Sequence, residues 1–243
     1  MSQLSTIKGR MAAVVAIILG SATVCAIAGC GGSSPQTVAA HKIADKLPRI
    51  IGPARHYDVQ VDGDPFAIGR GRAKKVTIDG RNVAMASGLT MDRLTIEADD
   101  VSFDVKSRTL QHIGRVTFMA RLGQLNLDKY LARIKPDMPG LSIKLRWDDM
   151  EVAVPVEVAS LMTTARLSGT LTPSRAGSDK LDFQGNKASV GVVPVPSKII
   201  DLALDSINPV LDLSGIRFPV SITNTSVDRG SIILRGTATI DKL

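Results

Sequence analysis

Cysteine, histidine and aromatic residues are scarce in this 243-residue chain, and each scarcity removes a class of function. The only cysteines, Cys25 and Cys30, lie near the N-terminus, so the rest of the chain has no disulfide, thiol nucleophile or thiolate metal set. His41, His56 and His112 are scattered, with no second His or carboxylate at ligand spacing, which argues against zinc. One tryptophan, two tyrosines and five phenylalanines are too few to interleave with basic clusters, so no nucleic-acid partner is expected. No Gly-x-Ser-x-Gly elbow is present, and an esterase would need a serine with a nearby base. Gly69-Arg70-Gly71-Arg72 lacks the third glycine of a dinucleotide site and reads as the start of a strand with charged side chains. Asp62-Gly63-Asp64 begins like a calcium loop, but Pro65 and Phe66 follow and the later ligands are missing. Asp99-Asp100 and Asp148-Asp149 lie between strand patterns, where aspartate favours turns over acid–base work. The sequence predicts a binding or structural protein without metal or cofactor, and not an enzyme.

Charge is absent from residues 11–29, which follow Lys8 and Arg10 and close on Ile27-Ala28-Gly29-Cys30. That layout predicts a lipoprotein signal peptide over residues 1–29, with Cys30 as the first mature residue carrying a diacylglyceryl group and palmitate-type acyl chains. Each buried methylene contributes ~0.8 kcal/mol, so two or three chains hold a protein firmly on a membrane. The alternative is an uncleaved helix, since about 20 apolar residues span a bilayer; Cys25, preceded by the branched Val24, is the weaker lipidation candidate. Lys8 and Arg10 keep the short N-terminus inside, which predicts an extracytoplasmic, membrane-anchored domain in the cell envelope. Setting these two residues aside lowers the formal charge from +7 to +5, a modest excess that suits anionic lipid without requiring it.

Residues 30–36, with Gly31-Gly32-Ser33-Ser34-Pro35, read as a lipidated N-terminus and flexible spacer, and residues 37–243 as one domain. Val38, Ile43, Leu47, Ile50 and Ile51 share a helical face; Pro48 should kink or end that helix, and Gly52-Pro53 stops it. The apolar period then changes from 3.6 to 2. Tyr57, Val59 and Val61 alternate with polar neighbours, and Val76 and Ile78 follow Arg72 and Lys74 on one parity. Leu94 and Ile96, then Val101, Phe103 and Val105, continue the pattern, with Asp62-Gly63 and Asp79-Gly80 as turns.

A second helix is expected over residues 126–134, where Leu127, Leu131 and Ile134 share a face, until Pro136 and Pro139-Gly140 stop it. Leu141, Ile143, Leu145 and Trp147 then alternate with Ser142, Lys144 and Arg146, and Val152, Val154 and Val156 form the return strand. Ala165, Leu167 and Leu171 make another strand, a loop covers residues 173–179, and Leu181, Phe183, Ala188, Val190 and Val192 resume the alternation. A third helix over residues 197–207 presents Ile199, Ile200, Ala203, Leu204 and Ile207, and Asn208-Pro209 ends it. The chain closes on strands at residues 218–223 and 232–240.

This order predicts an α+β fold: a long curved antiparallel sheet with about three helices packed on one side. If those helices leave part of the apolar face uncovered, the remainder is a groove suited to hydrocarbon. Its candidate lining is Ile43, Leu47, Ile51, Val76, Ile78, Leu94, Ile96, Phe103, Leu145, Trp147, Val152, Val154, Ile200 and Leu204. Arg70, Arg72, Lys74 and Lys75 form the main concentration of charge and are candidate contacts for lipid headgroups, or else a solvated strand face. Trp147, likewise, reads as a core anchor before a ligand contact.

Val61-Asp62-Gly63-Asp64-Pro65-Phe66, then Gly69 to Gly71 and Val76-Thr77-Ile78, resemble the opening of the LmeA family of envelope phospholipid-binding proteins. Leu125-Asn126-Leu127-Asp128-Lys129-Tyr130-Leu131 resembles that family's short mid-chain helix, and Asn208-Pro209-Val210-Leu211-Asp212-Leu213-Ser214-Gly215, Phe218-Pro219-Val220 and Gly230 resemble its C-terminal part. The resemblance covers about residues 38–240 and brings no catalytic residues. It implies a fold similar to half of a tubular lipid-binding module and binding of phospholipids within the cell envelope; the leading expectation is a lipid-anchored protein that holds acyl chains in the groove for lipid transfer or envelope maintenance. The alternative is a scaffolding lipoprotein that binds an envelope enzyme or transport partner and takes no lipid.

Overall fold

A computed structural model describes residues 34–85, 87–104, 109–158, 161–174, 177–190, 193–194, 197–213 and 219–239. The leader, Cys30 and the apolar strand positions Val105, Val192, Phe218 and Ile240 lie outside the described residues. Helix α1 (Pro35–Ile50) begins earlier than the apolar pattern indicated, because Ser34 caps it and Pro35 occupies its first turn. Thr37 N donates to Ser34 Oγ at 3.3 Å. Ala39, Ile43, Leu47 and Ile50 form the buried stripe of α1. Pro48 neither ends the helix nor prevents Ile51 N from donating to Leu47 O at 2.8 Å, since so near the C-terminus it removes a single intrahelical donor. Gly52, at φ 148°, turns the chain toward the first strand.

The α+β expectation holds: the described strands form two antiparallel sheets, with a sheet curled into a half-barrel among them. Sheet one contains β1 (His56–Asp62), β2 (Arg72–Ala84), β3 (Thr90–Asp104), β4 (Thr109–His112), β5 (Val116–Gly123), β12 (Val220–Asp228) and β13 (Ser231–Ala238). Its order is β1-β2-β3-β5-β13-β12, with β4 paired to β3. Sheet two contains β6 (Ser142–Leu145), β7 (Met150–Val158), β8 (Leu161–Ser174), β9 (Gly177–Val190), β10 (Val193–Pro194) and β11 (Leu211–Asp212). Three more helices complete the described elements: α2 (Pro65–Gly69), α3 (Gln124–Ile134) and α4 (Ser197–Ile207). A continuous apolar core joins α1, α3 and α4 to both sheets.

Helix α2 was not anticipated. Asp64 caps it, accepting from Ala67 N at 2.8 Å, and Pro65 fixes its first residue, so the calcium-like Asp-Gly-Asp string serves a turn and a helix start.

Two expected turns are strand interior. Asp79-Gly80 lies within β2, where a Cβ on Gly80 would stand 2.7 Å from both the Tyr57 ring and Val83 Cγ2; glycine is there for close packing. Asp99-Asp100 lies within β3, with Asp100 at φ 51°. At the β2–β3 ladder's other irregular point, between the Arg81–Arg93 and Val83–Met91 pairs, Asn82 also has φ 51°. These left-handed residues, of the types that best tolerate αL, crease the pair of strands. Between the creases Val76, Ile78, Leu94 and Ile96 face inward; beyond them the opposite parity is buried, at Ala73, Val101 and Phe103 on one side and Val83 and Met91 on the other. This explains why Arg72 and Lys74, on the parity of Val76, are nevertheless exposed. The expected loop at 173–179 is also shorter, because β8 and β9 pair to Ser174 and Gly177 after a register shift.

Both tyrosines of the chain are tied to the frame. Tyr57 Oη donates to Gly52 O at 2.8 Å, and burial pushes its phenol up to about 12. Burial also raises Tyr130, whose Oη accepts from Asp212 N at 3.3 Å. In both, the folded state favours the neutral phenol. The associated stability is complete below pH ~10, the unfolded tyrosine pKa, and is lost as pH rises through the folded values. Urea midpoints should therefore fall above pH ~10, and Tyr57→Phe should blunt that fall.

Candidate binding cleft

Helix α3 and the short strand β6 form the walls of a cleft of about 650 Å³, within the roughly 300–1,000 Å³ range of ligand pockets. The segment between them reverses direction through Lys135, Met138 and Gly140, the last at φ 92°, with Met138 N bonded to Lys135 O and Leu141 N to Met138 O. Leu131 and Ala132 of α3, Met138 and Leu141 of the connection, and Ile143 and Leu145 of β6 supply apolar lining. Lys135, Lys144 and Arg146 bring positive charge to the same cleft, with Asp128 as a carboxylate. Lys135 Nζ donates to Ser206 O at 3.0 Å and Arg146 pairs with Glu151, while Lys144 is exposed.

A single amide sets the width of this cleft. Gln124 Nε2 donates to Ile143 O and to Asp128 Oδ1 (2.8 Å), and its Oε1 accepts from Leu145 N at 2.9 Å. The Gln124 side chain thus substitutes for a neighbouring strand along β6. Its backbone N–H donates to Gly230 O at 2.9 Å, which fixes the β12–β13 turn against the same corner.

Gly230 also lines a second cleft of about 380 Å³, together with Arg81, Asp92, Arg93, Arg121, Gly123 and Ser231. Arg81 lies opposite Arg93, and Arg93 opposite Arg121, on three adjacent strands. Like charges placed directly opposite one another destabilise a sheet unless something compensates. Arg93 is held by Asp79 through its Nε (2.9 and 3.1 Å) and Nη2, and Asp79 raises its pKa through the hydrogen bond and the charge. Arg121 Nε donates to Ser231 Oγ at 3.1 Å. Asn126 Nδ2 holds Asp92 Oδ1 at 2.6 Å beside Gly123.

Of the groove candidates, Leu145 lines the α3–β6 cleft. Ile43, Leu47 and Ile51 are buried at α1, Val76, Ile78, Leu94, Ile96 and Phe103 on the inner face of sheet one, and Val152 and Val154 on β7. Ile200 and Leu204 of α4 are half-buried against this core. The core reading of Trp147 is corrected: it is 63% exposed, with the Arg229 guanidinium 5.6 Å from its ring centroid. β6 ends at Leu145 and Asp148 adopts φ 56°, so the alternation that would have turned Trp147 inward stops before it.

Arg70, Arg72, Lys74 and Lys75 line neither cleft. Arg70 caps the end of α2, and Arg72, Lys74 and Lys75 begin β2 at the end of sheet one where Arg72 pairs with Ser102, remote from the Arg81–Arg93 end. Lys75 Nζ pairs with Glu97 at 2.7 Å, which raises its pKa. The cleft cations Lys135, Lys144 and Arg146, and the row of arginines, were missed as a site. Their signal was split between elements: α3 and β6 each show the right periodicity, but nothing in sequence says that they face one another.

A curled antiparallel sheet backed by helices carries a cleft whose lining combines apolar side chains with cations. The chain belongs to the LmeA-like phospholipid-binding family, whose model matches residues 36–237. No curated protein matches the sequence.

Proposed function

We propose that this protein is an extracytoplasmic phospholipid-binding lipoprotein that holds acyl chains against the α3–β6 cleft, in lipid transfer or envelope maintenance. The observation that carries the reading is the pairing of Leu131, Met138, Leu141 and Leu145 with Lys135, Lys144 and Arg146 in one cleft of a phospholipid-binding family member. Hydrocarbon gains ~25 cal/mol per Å² of apolar area buried, and lysine or arginine at the margin meets the headgroup phosphate. The Cys30 anchor, with a spacer of a few residues at ~3.3–3.6 Å each, keeps this activity near one membrane surface. Binding and presentation of the lipid are the whole role; no bond is made or broken.

The test is organic extraction and mass spectrometry of the chain expressed with its N-terminus intact. Phospholipid should be recovered from the wild type. In Met138→Asp/Leu141→Asp recovery should fall on the order of a hundredfold, about 3 kcal/mol for carboxylates set against hydrocarbon. Cys30→Ala should abolish acylation at this position without reducing the lipid bound per molecule. The filled packing of Ile43 and Leu47 beneath α1 favours a second reading, a scaffolding lipoprotein without a lipid ligand; wild-type protein free of phospholipid would decide for it.

A further inference from the structure

We infer that the α3–β6 cleft selects a zwitterionic phospholipid whose headgroup joins a phosphate to a primary ammonium, as in phosphatidylethanolamine. The inference rests on the proposed lipid-binding role and names the headgroup that the same cleft takes. Of the four charged side chains in the lining, two are already answered within the protein. Arg146 is paired with Glu151. Lys135 Nζ donates to Ser206 O in the last turn of α4, where the aligned peptide dipoles supply about half a negative charge. That leaves Lys144 and Asp128, one of each sign. Both line the cleft and both are exposed, yet neither has an ion-pair partner among the described residues, so they do not pair with each other across it. Asp128 Oδ1 accepts from Gln124 Nε2, and Oδ2 accepts from no group among the described residues.

One amide brings the two charges within reach of a single headgroup. Gln124 Nε2 donates both to Asp128 Oδ1 and to Ile143 O, the carbonyl joined to Lys144. Gln124 Oε1 accepts from Leu145 N, so the start of α3 lies beside the end of β6 and forms the polar end of the cleft. Leu131, Met138 and Leu141 line it toward the other end, where hydrocarbon belongs. A zwitterion placed this way gives its phosphate to Lys144 and its ammonium to Asp128. An anionic lipid without an amine would set a second negative charge against Asp128, an unpaired charge of the kind that discriminates between ligands. Asp148 and Asp149, in the turn after Arg146, add negative charge beside the same end, which an ammonium accommodates and a further anion does not. The described lining includes no aromatic ring, whereas quaternary ammonium groups are held on aromatic faces. A carboxylate oxygen instead takes N–H donors, which a primary ammonium has and a choline lacks.

The full chain, solubilised in detergent micelles, is mixed with equal amounts of phosphatidylethanolamine, phosphatidylcholine and phosphatidylglycerol, and native mass spectrometry counts the lipid species retained. Phosphatidylethanolamine should exceed each of the others about tenfold, the effect of one hydrogen bond to a charged group. Asp128→Asn keeps an acceptor for Gln124 Nε2 and removes the charge, so this preference should disappear, with exchange of the Leu145 amide unchanged as the control on the shape of the cleft. Lys144→Gln should lower retention of all three lipids about fivefold while phosphatidylethanolamine stays the most abundant. Equal retention of the three headgroups by the wild type, or a preference for phosphatidylglycerol or phosphatidylcholine, overturns the headgroup assignment and leaves the lipid-binding role intact. A wild-type preference that persists in Asp128→Asn also overturns it. Retention of no phospholipid by the wild type rejects the role on which the headgroup was argued, and the assignment with it.

Discussion

Gly52→Ala should lower the unfolding free energy by about 3–5 kcal/mol, a large part of the ~5–15 kcal/mol of an ordinary domain. The added Cβ would stand 2.0 Å from Ala84 O, a backbone atom of β2, and the residue has φ 148°. Two adjustments are available and both are costly. The turn can change its dihedral angle, moving the carbonyl that receives the Tyr57 hydroxyl. Alternatively α1 can lift from the sheet, taking Ile43, Leu47 and Ile50 out of the core. Urea unfolding should give a lower midpoint, and hydrogen exchange should quicken first in α1. A midpoint within experimental error of wild type would mean that the α1–β1 connection does not hold the helix down.

Gln124→Leu should have the largest effect on the cleft. Leucine conserves much of the volume but removes one acceptor and two donated hydrogen bonds, leaving Leu145 N and Ile143 O without the partners they have in the native protein. Each unpaired backbone group costs ~1–3 kcal/mol, so β6 should separate from α3 locally while the sheets persist. Exchange of the Leu145 amide should accelerate on the order of a hundredfold, about 2.7 kcal/mol of local opening. Bound phospholipid should fall with it. Unchanged exchange with undiminished phospholipid would show that the cleft is held by its apolar side chains alone.

Periodicity located most elements because it reports burial directly. α4 falls on the residues where Ile200, Ala203, Leu204 and Ile207 placed it, and Leu127 and Leu131 marked α3. What periodicity could not report was whether a break in alternation meant a turn or a crease. Asp79-Gly80 and Asp99-Asp100 have turn composition, yet both lie inside long strands: Gly80 because Tyr57 packs against it, Asp100 because it accepts a left-handed conformation. The same ambiguity hid the site. The three arginines at 81, 93 and 121 become neighbours only through the pairing of β2 with β3 and β3 with β5, a long-range fact without a local signature. Trp147 failed differently: it continued an alternation whose strand had already ended at Leu145.

The two creases in β2 and β3 act as keys cut into the sheet. In a strand of uniform alternation, a one-residue slip exchanges one complete face for the other, and only the difference in hydrophobicity resists it. Here Asn82 and Asp100 switch the inward parity twice within the β2–β3 ladder. A slipped pairing would misalign the bends and also turn Lys75, Asp79 and Arg81 toward the apolar interior, at several kcal/mol for each uncompensated charge. Long, Val- and Ile-rich strands are the part of such a chain most exposed to misassembly, before folding or beside a second copy. Two ordinary polar residues in an uncommon backbone conformation make the correct alignment the one that fits.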